Sequence, residues 1–248
     1  MTTHTGRVAV VTGAARGIGQ SIATGLAVRG ASVVGVDIDE AQETRELVEA
    51  SGAQWLGAVS DVSSPSDVEW IAEQTLGRFG RCDILVNNAG IYPACPFEEL
   101  SFEAWRKVLS VNLDSQFLMS KAFVPSMKAR AWGRIVNLTS GSVQLSTENT
   151  AAYKTSKMGT IGLTRAMSAD LGRYGITVNA ASPSLTRTPG VLSSQRMADK
   201  LETLAKMQAI KRVSEPTDIV GLILFLTGED SHFLTGQTIL ADGGLCYF

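Results

Sequence analysis

Val8-Ala9-Val10-Val11-Thr12-Gly13-Ala14-Ala15-Arg16-Gly17-Ile18-Gly19 is the stretch on which the fold turns. Val8 to Thr12 is dominated by β-branched residues and reads as a strand. Gly13, Gly17 and Gly19 then permit a tight turn into a helix from Gly17 to Arg29, whose Ile18, Ile22 and Leu26 fall four apart on one face. Gly30 stands where the helix needs a C-terminal cap. A turn of this kind brings backbone close to a ligand and aims helix N-terminal N–H groups at an anion such as a pyrophosphate. The three-then-one glycine spacing departs from the one-then-two dinucleotide fingerprint. The turn could serve geometry alone, but its place between a first strand and an apolar-faced helix favours nucleotide binding.

Outward from this stretch, short apolar runs alternate with helical patterns. Strands are expected at Ser32–Asp37, Gln54–Val59, Asp83–Asn87, Arg134–Thr139, Ile176–Ala181 and Gln237–Ala241. Between them lie helices at Glu40–Ala50, from a Ser64-Pro65 start to Phe79, from Ser101 to Lys128, broken or kinked near Pro125, and at Ala151–Arg173. Pro216 and Asp218 open a late helix. This alternation predicts one α/β domain over residues 1–248, a doubly wound parallel sheet with helices on both faces. Thr186–Arg212 has no clear period and reads as a helical lid or insertion.

Composition narrows the function. The 248 residues are 44% hydrophobic and 19% charged, an ordinary globular balance, with a formal net charge of −2. No basic surplus exists to neutralise phosphates, so nucleic acid is not an expected partner. The longest apolar run, Ile219–Leu226, is far short of the ~20 residues of a spanning helix. Met1–Arg7 is polar, and Arg16 follows Val8–Val11 too soon for a signal-peptide core. Cys82, Cys95 and Cys246 are few and scattered, which predicts reduced thiols and a cytoplasmic protein. With His4 and His232 as the only histidines, no metal site is expected.

Several polar residues suit proton and hydride chemistry. Asp37 closes the second strand, where an acid can accept hydrogen bonds from a ribose 2′-hydroxyl and repel a 2′-phosphate. Tyr153 and Lys157, four apart, share a helix face, and an ammonium beside a phenol favours its phenolate. Ser140 ends the fifth strand, near the hydroxyls of Thr139 and Ser142, and Asn112 lies midway along the preceding long helix. Taken singly, each is an ordinary surface or core residue.

Taken together, these residues resemble the short-chain dehydrogenase/reductase family, in its compact single-domain branch, over essentially the whole chain. Thr12–Gly19 matches the family's glycine-rich turn, Asp61-Val62 its adenine-pocket acid, and Asn87-Asn88-Ala89-Gly90 its motif after the fourth strand. Asn112, Ser140, Tyr153 and Lys157 match its catalytic four. The resemblance implies a Rossmann-type seven-stranded sheet in the order 3-2-1-4-5-6-7. It also implies a cofactor site drawn from Gly13, Arg16, Gly17, Ile18, Gly19, Asp37, Asp61, Val62, Asn88, Ala89, Gly90, Tyr153, Lys157, Pro183 and Thr188. Tyr153 would exchange a proton with the substrate oxygen, and Ser140 would hydrogen-bond that oxygen. Lys157 would lower the Tyr153 pKa and hold the nicotinamide ribose, and Asn112 would hold a water linking Lys157 to solvent. The family further implies a homotetramer, with Asn112–Lys128 and Ala151–Arg173 packed between subunits.

Two departures stand out. Pro183-Ser184 replaces the family's usual Pro-Gly, and Arg16 is a basic residue of the kind found in NADP-preferring members. Asp37 opposes Arg16, and Ile38 offers a 2′-phosphate nothing, so NAD is the expected cofactor. Gly80–Pro93, Lys121–Lys128, Asn137–Ser140 and Pro183–Leu185 are similar to the (S)-1-phenylethanol dehydrogenase-like secondary alcohol dehydrogenases. The expected reaction is therefore interconversion of a secondary alcohol with an apolar or aromatic ketone. Ile91, Tyr92, Pro93, Val143, Leu145, Leu185, Leu192, Met197, Leu201 and Met207 are the candidate pocket wall. The alternatives are a 3-oxoacyl thioester reductase, for which Lys128, Arg130 and Arg173 could meet an acidic carrier, and a non-catalytic nucleotide-binding protein.

Overall fold

The computed structural model describes residues 3–247. Seven strands form one all-parallel sheet: β1 Val8–Thr12, β2 Ser32–Asp37, β3 Trp55–Val59, β4 Ile84–Asn87, β5 Gly133–Leu138, β6 Ile176–Pro183 and β7 Thr238–Ala241. Their order is β3-β2-β1-β4-β5-β6-β7, as expected from the family resemblance. The order reverses beside β1, between β2 and β4, where a crevice opens at the strands' carboxyl ends.

Alternation along each strand feeds two cores. Val8 and Val10 face α3 (Pro65–Phe79) and α5 (Ser115–Ala129), where Ile71, Met119, Phe123 and Met127 are completely buried. Ala9 and Val11 face α1 (Gly17–Val28), α2 (Gln42–Ala50) and α9 (Val220–Leu226), with Ile22, Leu26, Ile223 and Leu226 between. Strands buried on both faces carry apolar residues almost continuously, and β1 and β4 have no exposed position. Ser64 caps α3 by accepting from Asp67 N, and Ser101 caps α4 (Phe102–Leu109) by accepting from Ala104 N.

One expectation is corrected. The long helix after Ser101 is not broken at Pro125, which sits inside α5. It breaks at Ser110–Asp114, a single π turn joining α4 to α5. The residues around 186–212 carry two helices, α7 Pro189–Leu192 and α8 Gln195–Met207, after the long α6 (Ala151–Leu171). Leu201 and Ala205 pack on Val213 as a small core of their own.

Candidate active site

Every sequence-predicted site residue except Asn112, Tyr153 and Lys157 lies in the glycine-rich turn, in α1's first turn, or at or just beyond the carboxyl end of a strand. Those three come from the helical layer. Tyr153 and Lys157 project from the first two turns of α6, and Asn112 comes from the π turn. Lys157 is buried, and its Nζ donates to the Leu138 carbonyl (2.8 Å) at the end of β5. The same Nζ lies 5.8 Å from the Tyr153 ring centre. Ser140 Oγ shares a hydrogen bond with Ser142 Oγ (2.9 Å) and another with the Tyr153 hydroxyl. The Tyr92 ring meets Tyr153 edge-on, centroids 4.4 Å apart.

Burial sets the protonation of this group. It pushes the Tyr153 phenol up to about 12, against the downward pull of its Ser140 hydrogen bond. It pushes Lys157 down to about 8. Lys157 was expected to lower the Tyr153 pKa, but at this separation desolvation dominates. At neutral pH Tyr153 is therefore a proton donor, and Lys157 is still mainly an ammonium.

Asn112 is fully buried and pairs with main chain. Its Oδ1 accepts from Ile91 N (2.8 Å), and its Nδ2 donates to Ile91 O (2.9 Å) and Ser156 Oγ (3.1 Å). Both amide hydrogens are thus committed, and the side chain braces the loop after Gly90. A Cβ on Gly90 would lie 3.2 Å from Asn112 Oδ1 and 3.5 Å from Lys157 Nζ, so the three groups are close neighbours.

The turn between β1 and α1 is shaped for an anion. Gly13 and Gly17 take positive φ (67° and 62°), where side chains are strained. The N-cap of α1, Arg16, supplies no side-chain acceptor, and no acid occupies the first turn, so the helix's leading N–H groups await an acceptor. Asn88 braces the turn from below: its Nδ2 donates to the Thr12 and Gly13 carbonyls (2.9 and 3.1 Å), while Thr12 Oγ1 accepts from Asn88 N and Ala89 N (both 3.0 Å). Thr12 was missed as a site residue because a strand threonine carries no signal of its own. Asp37 accepts from Ala15 N (2.8 Å), and Arg16 pairs with Asp39 (3.2 Å). Asp61 accepts from the Ser63 amide and hydroxyl and lies 3.6 Å from Lys107, which together hold its carboxyl below its ordinary range despite partial burial. Val62 is buried beside it. A dinucleotide fits this set: backbone donors for phosphates, an acid at the end of β2 for ribose, and Asp61-Val62 beyond it for a base.

A cavity of about 790 Å³ opens beside Ser140 and Tyr153. Of the expected wall, Tyr92, Leu145, Leu185 and Met197 line it; Val191, Leu204 and Leu245 are additions. Ile91, Pro93, Leu192 and Met207 are exposed instead, Leu201 turns into the small core, and Val143 is not part of the wall. For Leu201 and Met207 the formation of α8 is the reason: helical spacing places only one of its faces on the cavity. Ser184 is buried and donates to Gln208 Oε1 (2.9 Å), tying the end of β6 to the end of α8. Thr188 caps α7 and packs its methyl over Gly17. Among the described residues no three His, Cys, Asp or Glu side chains converge as metal ligands, and no helix is long and apolar enough to cross a membrane.

Residues 13–246 match the protein family described as Enoyl-(Acyl carrier protein) reductase. The chain is 40% identical to (2S)-[(R)-hydroxy(phenyl)methyl]succinyl-CoA dehydrogenase subunit BbsD of Thauera aromatica, over 98% of this chain and 97% of that one. It is 34% identical to 3-oxoacyl-[acyl-carrier-protein] reductase of Synechocystis, over the full length of both. Its structure superposes on that of levodione reductase with a TM-score of 0.91 at 32% identity, covering 97% of each chain. The likeness to phenylethanol dehydrogenases is thus approximate, one among several alcohol and ketone oxidoreductases.

Proposed function

The chain belongs to the short-chain dehydrogenase/reductase family, and from that premise we propose that it interconverts secondary alcohols with apolar or aromatic ketones using NAD(H). Hydride transfer between a nicotinamide cofactor and an alcohol or ketone is the family's reaction; the ketone's class and the choice of NAD are the proposal. The observation that carries it is the cavity itself, where the hydrogen-bonded Ser140 and Tyr153 face Tyr92, Leu145, Leu185, Val191 and Met197. Apolar walls favour ketones that shed little water and disfavour polyols, whose hydroxyls would lose hydration without gaining partners.

The Gly13–Gly19 turn, Asp37, Asp61-Val62, Asn88–Gly90, Pro183 and Thr188 would hold the cofactor, whose chemistry would be the supply of hydride for the carbonyl carbon. In that direction Tyr153 donates its proton to the carbonyl oxygen, and Ser140 donates a hydrogen bond to the same atom as negative charge grows there. Lys157 holds the ribose hydroxyls and stabilises the phenolate that Tyr153 leaves. Asn112 is a positioning residue, fixing the backbone of Ile91 against α6. In the reverse direction Tyr153 must begin as phenolate, and Lys157 is the one nearby charge that favours it.

NAD is favoured because Asp37 sits at the end of β2 and Asp39 already pairs with Arg16, the residue that would have served a 2′-phosphate. Asp37→Ala is expected to weaken NADH and to narrow the NADH-over-NADPH preference about tenfold, a change of ~1.4 kcal/mol. Steady-state rates with the two reduced cofactors check this. Faster turnover of NADPH by the unaltered protein would show that Arg16 prevails.

The substrate class is tested by comparing kcat/KM for acetophenone, acetoacetyl thioester and a keto sugar acid with NADH. The aryl ketone is expected to lead. A clear lead for the thioester would establish the second reading, which the similarity to the Synechocystis enzyme favours, and a lead for the sugar acid would remove the apolar-pocket argument. We further propose one domain, since a single sheet takes in both the first strand, β1, and the last, β7. A homotetramer is supported by exposed Phe117 and Met158 on α5 and α6. The free thiols of Cys82, Cys95 and Cys246 support work in the reducing cytoplasm.

A further inference from the structure

We infer that the preferred ketone carries a carboxylate remote from its carbonyl, and that Arg196 and Lys200 of α8 receive it. This inference rests on the ketone reading above and narrows it. Arg196 and Lys200 are four apart on α8, so they share a face, and both line the cavity that holds Ser140 and Tyr153. No Asp or Glu lines that cavity, in a chain whose acids outnumber its bases. Among the described residues neither cation has an ion-pair or hydrogen-bond partner. Asp199, the nearest acid on the helix, is engaged by Gln195 (2.7 Å) and stays off the cavity wall.

Helix stability does not account for these charges. Arg196 stands in the first turn of α8, which contains no acid, and a cation there opposes the helix dipole. Lys200 lies mid-helix, without an acid partner. The positive end of α8 and two cations therefore look onto one side of a cavity whose other walls are uncharged, apolar side chains interspersed with hydroxyls such as Ser142, Thr147 and Thr186. Arg196 is also close enough to Tyr92 for its charge to act on that phenol, and Tyr92 touches Tyr153. An aryl or cyclic keto acid would put its ring against Tyr92, Leu145 and Leu185 and its carboxylate on the α8 cations.

The test compares 3- and 4-acetylbenzoate with the matching neutral acetylbenzamides, using NADH. The acids should exceed the amides in kcat/KM by about tenfold or more, chiefly through KM, as a charge-assisted contact provides. Arg196→Gln, and more fully Arg196→Gln with Lys200→Gln, should bring that ratio toward one, with NADH affinity and thermal midpoint unchanged. Added salt should lower the acid's advantage and leave the amide alone. A ratio near one in the unaltered protein, or one that survives both substitutions, overturns the inference. So does a loss of NADH affinity with the ratio intact, which would give the cations to the cofactor. If no aryl ketone is reduced, the reading beneath fails, and calorimetric binding of acid against amide to the NADH-loaded protein still decides the role of the cations.

Discussion

Tyr153→Phe is expected to lower ketone reduction by roughly 10²–10⁴-fold, the worth of a positioned general acid, while the protein folds and binds NADH as before. The substitution removes one oxygen. Ser140, the partner it leaves, keeps its bonds with Ser142 Oγ (2.9 Å) and Ser142 N (3.2 Å), so no buried hydroxyl is stranded. The edge contact with Tyr92 involves the ring and persists. What disappears is a phenol that burial holds at about 12, a donor that keeps its proton until the carbonyl oxygen gains charge. Stopped-flow loss of NADH absorbance with a large excess of protein reads the chemical step, and fluorescence titration reads binding. A variant within tenfold of the parent would place the acid elsewhere.

Gly19→Ala should be among the most damaging single methyl groups in the molecule. The new Cβ would lie 1.9 Å from the Gly13 carbonyl oxygen and 2.6 Å from Asn88 Nδ2. The first is main chain and cannot swing aside, so the turn itself must open. Overpacking of this kind costs on the order of 3 kcal/mol, which in a chain of this size lowers Tm by roughly 6–12 °C. Because the opened turn is the one that offers its amides to phosphate, NADH affinity should fall at least tenfold (a ~1.4 kcal/mol loss). Gly77→Ala on α3 is the matched control: nothing lies within 4 Å of its added methyl. There alanine gains up to ~1 kcal/mol of helix propensity, and Tm should hold or rise. Equal Tm and NADH affinity for both variants would refute the close packing of the turn.

The strands were legible in the sequence because a parallel sheet buried on both faces demands long apolar β-branched runs, and β1, β2 and β5 carry them. Their boundaries fell within a residue or two, β6 alone running on to Pro183. The break was misplaced because proline is a local signal, whereas the π turn at Ser110–Asp114 accompanies contacts made far away, through Asn112 to Ile91 and Ser156. The motif residues at the strand ends came from matched spacing, yet spacing could not show how they are used. Asn88 spends its amide on the turn, and Asp37 gives one oxygen to Ala15 N. The wall of α8 was only partly right, since without a helix phase Leu201 and Met207 could not be separated from Met197. Arg196 and Lys200 were passed over because a charged residue on a helix usually faces water, and only the cavity distinguishes them.

The π turn that seats Asn112 separates the demands of the core from those of the site. A turn closed between residues five apart holds one residue more than an α turn would. Losing one residue from Ser110–Asp114 would let α4 and α5 join as one regular helix whose two halves keep their phase, so Met119 and Phe123 would stay on the sheet. What would go is the surplus residue itself, and with it the bearing of Asn112 on Ile91 and Ser156. The segment thus behaves as a vernier: one surplus residue sets the bearing that the loop after Gly90 requires of Asn112 while leaving untouched the pitch that packing requires of α5. A one-residue deletion there should loosen the loop and spare the core.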